Sequence, residues 1–344
     1  MTGAPRRIYA TDLEGPVTRN DNALELAERY IPRGGELFAR VSLYDGYLTE
    51  VSHRTGHRAG DTMRLIIPFL LANGVTQAHM WELARSSILV VPGAEAVIRA
   101  IASEAPAYIV STSFCPYVEA VCSALRFPVD RALCTRVDLT YHDVSRLEAG
   151  QIRGMQEQIL ATPPLTIPPG AKGPEDLAEA DRGTVLQLDS IFWERMPKLS
   201  TYGLVREVRP VGGAEKAESL KRACEREGAQ LRDMMYVGDS TTDVAALREV
   251  RGAGGVAVSF NGDRRAVGEA DLVVIADRAD PMLEIARTFL GGGREALEGR
   301  GWPIGGKDWI ATWTGGAGGD VEGLVRESER RRKLVRGVSI GSLG

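Results

Sequence analysis

The chain has 344 residues, of which 44% are hydrophobic, and its formal net charge is −4. A chain of this length can bury one large core or two smaller ones. Its mildly acidic balance argues against a dedicated nucleic-acid binder, which normally presents a broad basic face.

The longest apolar run, 65–72, contains Pro68 and is too short to cross a bilayer. No signal peptide is visible before the first motif. We therefore expect a cytoplasmic protein with neither nucleic-acid nor membrane partners, whose oligomeric state the sequence leaves open.

The first 90 residues begin with a short apolar run, 7–11, which predicts a buried strand ending at Asp12. Helical spacing follows in 22–30, 61–73 and 77–87. Residues from about 19 to 90 are therefore predicted to be mainly helical.

His53 and His57 are four residues apart in this helical block and could face the same way on a helix. They could bind a metal ion together. We interpret them instead as exposed residues, because Gly56 and Gly60 weaken any helix at this point.

From residue 91 onwards strands and helices alternate, which is typical of a parallel sheet covered on both faces. The predicted strands are 107–110, 130–139, 204–208, 234–237, 255–258 and 272–275.

Residues 140–210 are expected to be irregular, apart from the uncertain strand 204–208 and an acidic helix at 174–180. This segment and the helical block at 19–90 interrupt the alternation, so both are candidates for inserted segments.

The chain from residue 291 is rich in glycine and ends in a basic stretch, 326–336. We predict a solvated helix or a frayed terminus for this stretch. The alternative is a surface that contacts an anionic partner.

Four cysteines, Cys115, Cys122, Cys134 and Cys224, form no CxxC pair and show no zinc-finger spacing. We expect them to be reduced, mostly buried thiols.

Four polar elements stand at or near predicted strand ends. They are Asp12-Leu13-Glu14-Gly15, Ser111-Thr112-Ser113, Lys216 after a Gly-Gly pair, and the run from Gly238 to Asp243, GDSTTD. Because ligands of an open parallel sheet bind outside the carboxyl ends of its strands, these elements are predicted to meet at one edge.

So many carboxylates in one place would repel one another unless a cation were present. Oxygen ligands suit Mg²⁺, which also holds substrate phosphates. A lysine and a hydroxyl could hold the remaining anionic oxygens, and phosphoryl transfer needs mainly this positioning and charge stabilisation.

In this order and context, the four elements resemble those of the haloacid dehalogenase (HAD) superfamily. The resemblance covers roughly 6–18 and 91–280, and GDSTTD with the following VAVSF is similar to the phosphoserine-phosphatase branch. It implies an α/β fold: a Rossmann-like core with a parallel sheet and a helical cap of the C1 type inserted after the first motif.

The predicted domains follow from this resemblance. They are a core of 1–18 and 91–290 with an insert at about 140–210, a helical cap of 19–90, and a C-terminal extension of 291–344.

The family's catalytic roles carry over to matching positions. Asp12 would be the nucleophile and Glu14 the general acid/base. Ser111, or else Thr112, would bind the transferring phosphoryl group, and Lys216 would offset charge on the phosphorylated aspartate.

The implied Mg²⁺ ligands are Asp12, the backbone carbonyl of Glu14, and Asp239, with Asp243 as a second or indirect ligand. Most phosphatases of the family carry Asp at the position of Glu14. The D-x-E-G start is similar to the enolase-phosphatase branch, and D-L-E-G-P is similar to archaeal proteins described as an energy-converting hydrogenase subunit.

The sequence therefore predicts a Mg²⁺-dependent phosphatase that acts on a small phosphorylated metabolite. The alternative is a HAD-fold accessory or binding subunit with little or no turnover. A phosphonate or C–Cl hydrolase is disfavoured, since those branches lack an acid at position 14.

Overall fold

The computed structural model describes residues 6–140, 143–168, 170–314 and 321–341. Residues 1–5 of the predicted core, and 315–320 and 342–344 of the predicted extension, lie outside these ranges.

The strands of the described chain are β1 (Ile8–Thr11), β2 (Ala107–Phe114), β3 (Ala132–Thr135), β4 (Met234–Gly238), β5 (Val256–Phe260), β6 (Leu272–Ala276), β7 (Ile304–Gly306) and β8 (Trp309–Trp313). The α-helices are α1 (Asn22–Tyr30), α2 (Gly34–Glu50), α3 (Thr62–Leu65), α4 (Ile67–Ala72), α5 (Gln77–Ser86), α6 (Ala94–Glu104), α7 (Cys115–Leu125), α8 (Arg146–Ala161), α9 (Glu179–Asp189), α10 (Tyr202–Glu207), α11 (Ala214–Glu227), α12 (Val244–Gly252), α13 (Arg264–Glu269), α14 (Pro281–Glu298), α15 (Val321–Arg336) and α16 (Val338–Gly341).

The strands form one sheet in the order β3-β2-β1-β4-β5-β6-β8-β7. The strands from β3 to β6 pair in parallel, whereas β8 pairs antiparallel with β6 and β7 antiparallel with β8. In the middle of the sheet, Thr11 is in register with Ile109 on one side and Val237 on the other. The predicted α/β fold with a parallel central sheet is confirmed.

Side chains of the central strands alternate between two apolar layers, as the pleat of a strand requires. Ile8 and Ala10 pack with residues of α11 and α12, while Tyr9 belongs to the layer that includes α6, α7 and α14. Both faces of the sheet are thus covered by helices.

The helices of 22–86 and 146–207 pack against each other in a further apolar cluster. The ring of Phe192 lies 5.6 Å from that of Tyr44 and 6.1 Å from that of Phe69, centroid to centroid. Two segments that are distant in sequence therefore form one helical layer above the sheet.

The prediction of an irregular segment at 140–210 was wrong, because this segment contains α8, α9 and α10. Helix α8 begins after the cap Ser145, whose hydroxyl accepts from the amide of Glu148, and its buried residues recur at helical spacing, as Ile152 and Ile159 do. The helix predicted at 174–180 is a 3₁₀ turn, Pro174–Asp176, followed by α9.

The predicted strand at 204–208 was also wrong, since Tyr202–Glu207 is a helix. A short apolar run does not distinguish a strand from a buried helical turn. Leu204, Val205 and Val208 are buried, and Leu204 and Val208 belong to the helical layer.

The C-terminal region extends the core. The hairpin β7–β8 covers the edge of β6, and α15 packs beside it through Val325, which shares an apolar cluster with Val273 and Ile275 of β6. No helix in the described ranges combines the length and the apolarity that a membrane crossing requires.

Two of the four cysteines are not free thiols, which corrects the sequence-based expectation. Cys115, the first residue of α7, and Cys134 of β3 form a disulfide with Cα atoms 5.2 Å apart. Cys122 and Cys224 are free and buried, as predicted. The pair is 19 residues apart and matches no spacing motif, so only the fold brings the two thiols together.

Candidate active site

The predicted site residues gather at the carboxyl ends of the central strands. Asp12 directly follows β1 and Asp239 directly follows β4, and the amide of Asp12 donates a 2.8 Å hydrogen bond to the carbonyl of Val237. Parallel pairing of these strands is what brings two carboxylates, far apart in sequence, to one edge of the sheet.

Lys216 lies in the first turn of α11 and its side chain is fully buried. Its ammonium nitrogen Nζ donates to Oδ2 of Asp12 and to Oδ1 of Asp243, each over 2.6 Å. The lysine thus joins the end of β1 to the loop after β4.

Asp243 uses both of its oxygens to organise this loop. Oδ1 accepts from Lys216 and from the hydroxyl of Tyr236, and Oδ2 accepts from the amides of Asp239 and Ser240, each over 3.0 Å. Burial alone would raise the pKa of Asp243, but Lys216 and these hydrogen bonds hold it below its ordinary value of 3.8. Asp243 is therefore an anchor for Lys216 and Asp239.

Asp12 and Glu14 have carboxyl groups with raised proton affinity. Burial raises the pKa of Asp12 to about 7, although Lys216 acts in the opposite direction. Burial and the nearby Asp21 raise the pKa of Glu14 to about 8. Glu14 is held by the amide of Asn22, which donates to its Oε1 over 2.9 Å.

Gly15 allows Asp239 to approach the loop after β1. Its φ of +108° favours glycine, and a Cβ placed there would lie 2.2 Å from Oδ2 of Asp239. The glycine of the D-L-E-G motif is thus required for the loop after β1 to lie against Asp239.

The three polar residues at the end of β2 have different surroundings. Thr112 and Ser113 line the cavity described below, whereas Ser111 is not among the residues that line it. The Oγ of Ser111 accepts from the amide of Ser113 over 3.1 Å, and the hydroxyl of Thr112 donates to the carbonyl of Val211 over 3.0 Å. Ser113, to which the sequence assigned no role, faces Glu14.

A cavity of about 140 Å³ opens between these residues and the helical layer. One face of α2 forms its far wall, where Phe38, Ser42, Asp45 and Thr49 follow one another at spacings of three or four residues. Its core side is lined by Asp12, Glu14, Asp21, Thr112, Ser113, Asp239, Ser240, Thr241 and Thr242, and by two arginines of the C-terminal helix, Arg332 and Arg336.

These two arginines are residues that sequence reasoning missed. Their side chains are only 4% and 6% exposed, and both donate to Oδ2 of Asp239. The prediction of a solvated or frayed basic stretch was therefore wrong for these positions. A signal was present, because Val325, Ser328, Arg332 and Arg336 recur every three or four residues along one face of α15.

His57 is also less exposed than expected. Its side chain is 1% exposed, and its Nε2 lies 2.7 Å from Oδ1 of Asp45. Its Nδ1 lies 3.3 Å from Oδ2 of Asp61. His53 is exposed, so the two histidines share no site, and His57 instead fixes Asp45 at the cavity wall.

The carboxylates fit a hard divalent cation. Oxygens of Asp12, Asp239 and Asp243 lie within 4.8 Å of one another. The carboxyl groups at this edge also outnumber the cationic side chains, namely Asp12, Glu14, Asp21, Asp239 and Asp243 against Lys216, Arg332 and Arg336. A cation with two positive charges and a preference for oxygen would offset this excess.

No protein-family model matches the chain, and no curated protein sequence does. The fold is shared with the solved structure of a gene product from Archaeoglobus fulgidus, which is 26% identical, with a TM-score of 0.84 over 99% of both chains. Two phosphoserine phosphatase structures, one in apo form and one with bound substrate, are each 15% identical. Their TM-scores are 0.48 and 0.49, over 82% and 83% of this chain and 98% of theirs.

Proposed function

We propose that the chain is a Mg²⁺-dependent phosphatase of the HAD type, which hydrolyses small phosphomonoesters through a phosphorylated Asp12. The observation that carries the proposal is the buried Lys216, which holds Asp12 and Asp243 at 2.6 Å beside Asp239 and the cavity. Nucleophile, charge-neutralising lysine and carboxylates for a cation are then all within one small volume.

Asp12 is suited to act as the nucleophile. Each of its oxygens accepts one hydrogen bond, Oδ1 from the amide of Leu13 and Oδ2 from Lys216, so its orientation is fixed. In the first step Asp12 attacks phosphorus, and the bond from phosphorus to the ester oxygen breaks. An aspartyl phosphate forms.

Glu14 is suited to move the protons. With a pKa of about 8 it is largely protonated at neutral pH, and it gives its proton to the departing ester oxygen. It then takes a proton from the water that attacks the aspartyl phosphate. The bond from phosphorus to Asp12 breaks, which releases inorganic phosphate and regenerates the carboxylate.

A bound Mg²⁺ would be held by Asp12, Asp239 and the backbone carbonyl of Glu14, and would supply positive charge against the phosphoryl oxygens. Asp243 would act indirectly, because protein donors already engage both of its oxygens. Ser111 and Thr112 remain candidates for contact with the phosphoryl group, and Ser113 joins them. The cavity lining favours Thr112 and Ser113.

We further propose that the helical layer is the cap and that α2 selects the substrate. The cavity of about 140 Å³ suits a small metabolite. Its α2 wall offers Phe38 for apolar contact and Ser42 and Thr49 for hydrogen bonds. The oxygens of Asp45 are already engaged by His57 and Thr62.

The test is phosphate release from a panel of small phosphomonoesters, with and without Mg²⁺, for the wild type, Asp12→Asn and Asp308→Asn. Asp308 is an exposed residue between β7 and β8 and serves as the matched control. We expect Mg²⁺-dependent release that Asp12→Asn abolishes and Asp308→Asn leaves unchanged, with all three proteins folded by circular dichroism.

Release that survives Asp12→Asn would contradict the assignment of the nucleophile. A folded protein that binds Mg²⁺ but releases no phosphate from any ester would favour the alternative, a HAD-fold accessory subunit without turnover.

A further inference from the structure

Acidic side chains outnumber cationic ones among the described residues that line the cavity. Among the described residues that line it, only Arg332 and Arg336 are cationic, whereas Asp12, Glu14, Asp21, Asp45, Glu50 and Asp239 are acidic. Lys216 is fully buried behind Asp12 and Asp243. An anion that enters the cavity therefore meets positive side chains from the C-terminal helix.

Both guanidinium groups are held on Asp239. Nη1 of Arg332 donates to the backbone oxygen of Asp239 over 2.5 Å and to its Oδ2 over 2.6 Å. Nη1 of Arg336 reaches the same Oδ2 over 3.2 Å, and its Nη2 donates to the carbonyl of Asn20 over 2.7 Å. One carboxylate oxygen thus accepts from two cationic side chains.

The helix that carries these arginines is firmly attached to the core. Ser328 of α15 is buried, and its hydroxyl donates to the carbonyl of Gly262 over 2.7 Å. Val325 packs against residues of β6 and α13. The arginines are therefore built into the site by the fold.

A divalent cation and the two guanidinium groups cannot all bind Oδ2 of Asp239 at full strength. A divalent cation that binds Oδ2 competes with both guanidinium groups for its lone pairs. Released guanidinium groups, still held at the cavity by α15, would then face the space in which phosphoryl oxygens must lie. Guanidinium groups bind phosphate through paired, charge-assisted hydrogen bonds.

We propose that Arg332 and Arg336 form a phosphate-binding subsite of the active site, which Asp239 masks until a divalent cation takes over that carboxylate. The proposal rests on the function proposed above and adds two substrate-binding residues from the C-terminal helix. It predicts that removal of the arginines strengthens the binding of Mg²⁺ and weakens the binding of phosphate.

The test uses the full chain with Arg332→Gln, Arg336→Gln and the double variant, and isothermal titration calorimetry with Mg²⁺ alone and then with inorganic phosphate at saturating Mg²⁺. Lys333→Gln is the matched control, since it removes one positive charge from an exposed position of the same helix. Folding of every variant is checked by circular dichroism.

We expect each arginine variant to bind Mg²⁺ more tightly, because a competitor for Asp239 is gone. We expect phosphate to bind about tenfold more weakly to each single variant, as the loss of a charge-assisted hydrogen bond implies, and still more weakly to the double variant. Arg336→Lys, which keeps the charge, should retain part of the affinity, and Lys333→Gln should resemble the wild type.

Unchanged phosphate affinity in the double variant, or weaker Mg²⁺ binding in it, would overturn the subsite. If the double variant does not fold, the wild type provides the decisive measurement: phosphate must bind at least about tenfold more weakly without Mg²⁺ than with it, and equal affinity would refute the masking.

These readouts do not depend on turnover. Suppose that the wild type releases no phosphate from esters, and that the arginine variants bind inorganic phosphate more weakly than the wild type does. The subsite then stands and the proposed hydrolysis fails. If turnover requires Asp12 but the affinity for phosphate is the same in the arginine variants and the wild type, the subsite alone fails.

Discussion

Lys216 and Asp243 form an ion pair that is fully removed from solvent: Nζ and Oδ1 are 2.6 Å apart, and both side chains are 0% exposed. A buried charge whose partner is removed is strongly destabilising, because neither water nor protein then compensates it. The pair therefore links the stability of the chain to its proposed chemistry.

Lys216→Met should lower the free energy of unfolding by about 3–5 kcal/mol, since Asp12 and Asp243 would lose their common cation. Urea denaturation at neutral pH measures this change. Lys221→Met, at a partly exposed position of the same helix, is the control and should have little effect, because a surface ion pair contributes little. Equal stability of the Lys216→Met variant and the wild type would show that the pair does not hold the site together.

Gly15→Ala should distort the site and weaken Mg²⁺ binding by at least about tenfold. The added Cβ would lie 2.2 Å from Oδ2 of Asp239 at a φ of +108°, so the loop, the carboxylate or both must move. Calorimetric titration with Mg²⁺ measures the loss.

Gly183→Ala is the control for this substitution. Gly183 lies in α9 with no atom within 4 Å of the added Cβ, so this variant should bind Mg²⁺ normally and gain up to about 1 kcal/mol of stability. Normal Mg²⁺ binding by Gly15→Ala would contradict the close approach of the two loops.

Mg²⁺ binding should release protons near neutral pH. Burial raises the pKa of Asp12, a proposed Mg²⁺ ligand, to about 7, so this carboxyl group is partly protonated there in the metal-free site. Calorimetry in two buffers of different ionisation enthalpy at pH 6.5 measures the released protons. Release should vanish above about pH 9 and should fall in Asp12→Asn. No proton release at pH 6.5 would show that Asp12 is already ionised.

The raised pKa values of Asp12 and Glu14 predict how the stability of the metal-free chain responds to pH. A carboxyl group whose pKa is higher in the folded than in the unfolded chain adds stability at low pH. From Asp12 and Glu14 this contribution is complete below about pH 4 and is lost as pH rises through 7 to 8. Thermal unfolding with a chelator, compared between the wild type and Asp12→Asn, isolates the part that belongs to Asp12. A pH profile that Asp12→Asn leaves unaltered would count against a raised pKa at this residue.

The disulfide between Cys115 and Cys134 should leave two alkylatable thiols after unfolding without reductant and four after reduction, by mass spectrometry. Reduction should lower the free energy of unfolding by about 3 kcal/mol, the loop-closure contribution for a separation of this length. Cys115→Ser should be insensitive to reductant. Four thiols in the unreduced protein would contradict the bridge.

The parts of the fold and site that could be predicted are those encoded locally. Asp12 follows β1, the GDSTTD run begins at the last residue of β4, and Ser111 lies in the second half of β2, and parallel strands place their carboxyl ends side by side. The sequence therefore anticipated the neighbourhood of Asp12, Lys216 and Asp239, although their catalytic roles remain predictions.

The parts that could not be predicted depend on contacts between distant segments. Nothing near Cys115 indicates Cys134 as a partner, and nothing near Asp239 indicates a guanidinium from a residue 93 positions away, as in Arg332. The helices α8 to α10 were not predicted, because proline-rich connections and short apolar runs separate their apolar residues in the sequence. These residues form one buried surface only when the helices pack with α2 and α4.

The joint apolar cluster of 22–86 and 146–207 has a consequence during protein synthesis. When the ribosome has released the first group of helices, Phe192 and the other residues that cover Tyr44 and Phe69 have not yet been made. The nascent chain must carry this uncovered apolar surface while it extends by more than a hundred residues, which is the condition in which unfinished chains aggregate or recruit chaperones. The central sheet can meanwhile begin to form only from β1 to β3, because β4 comes later still.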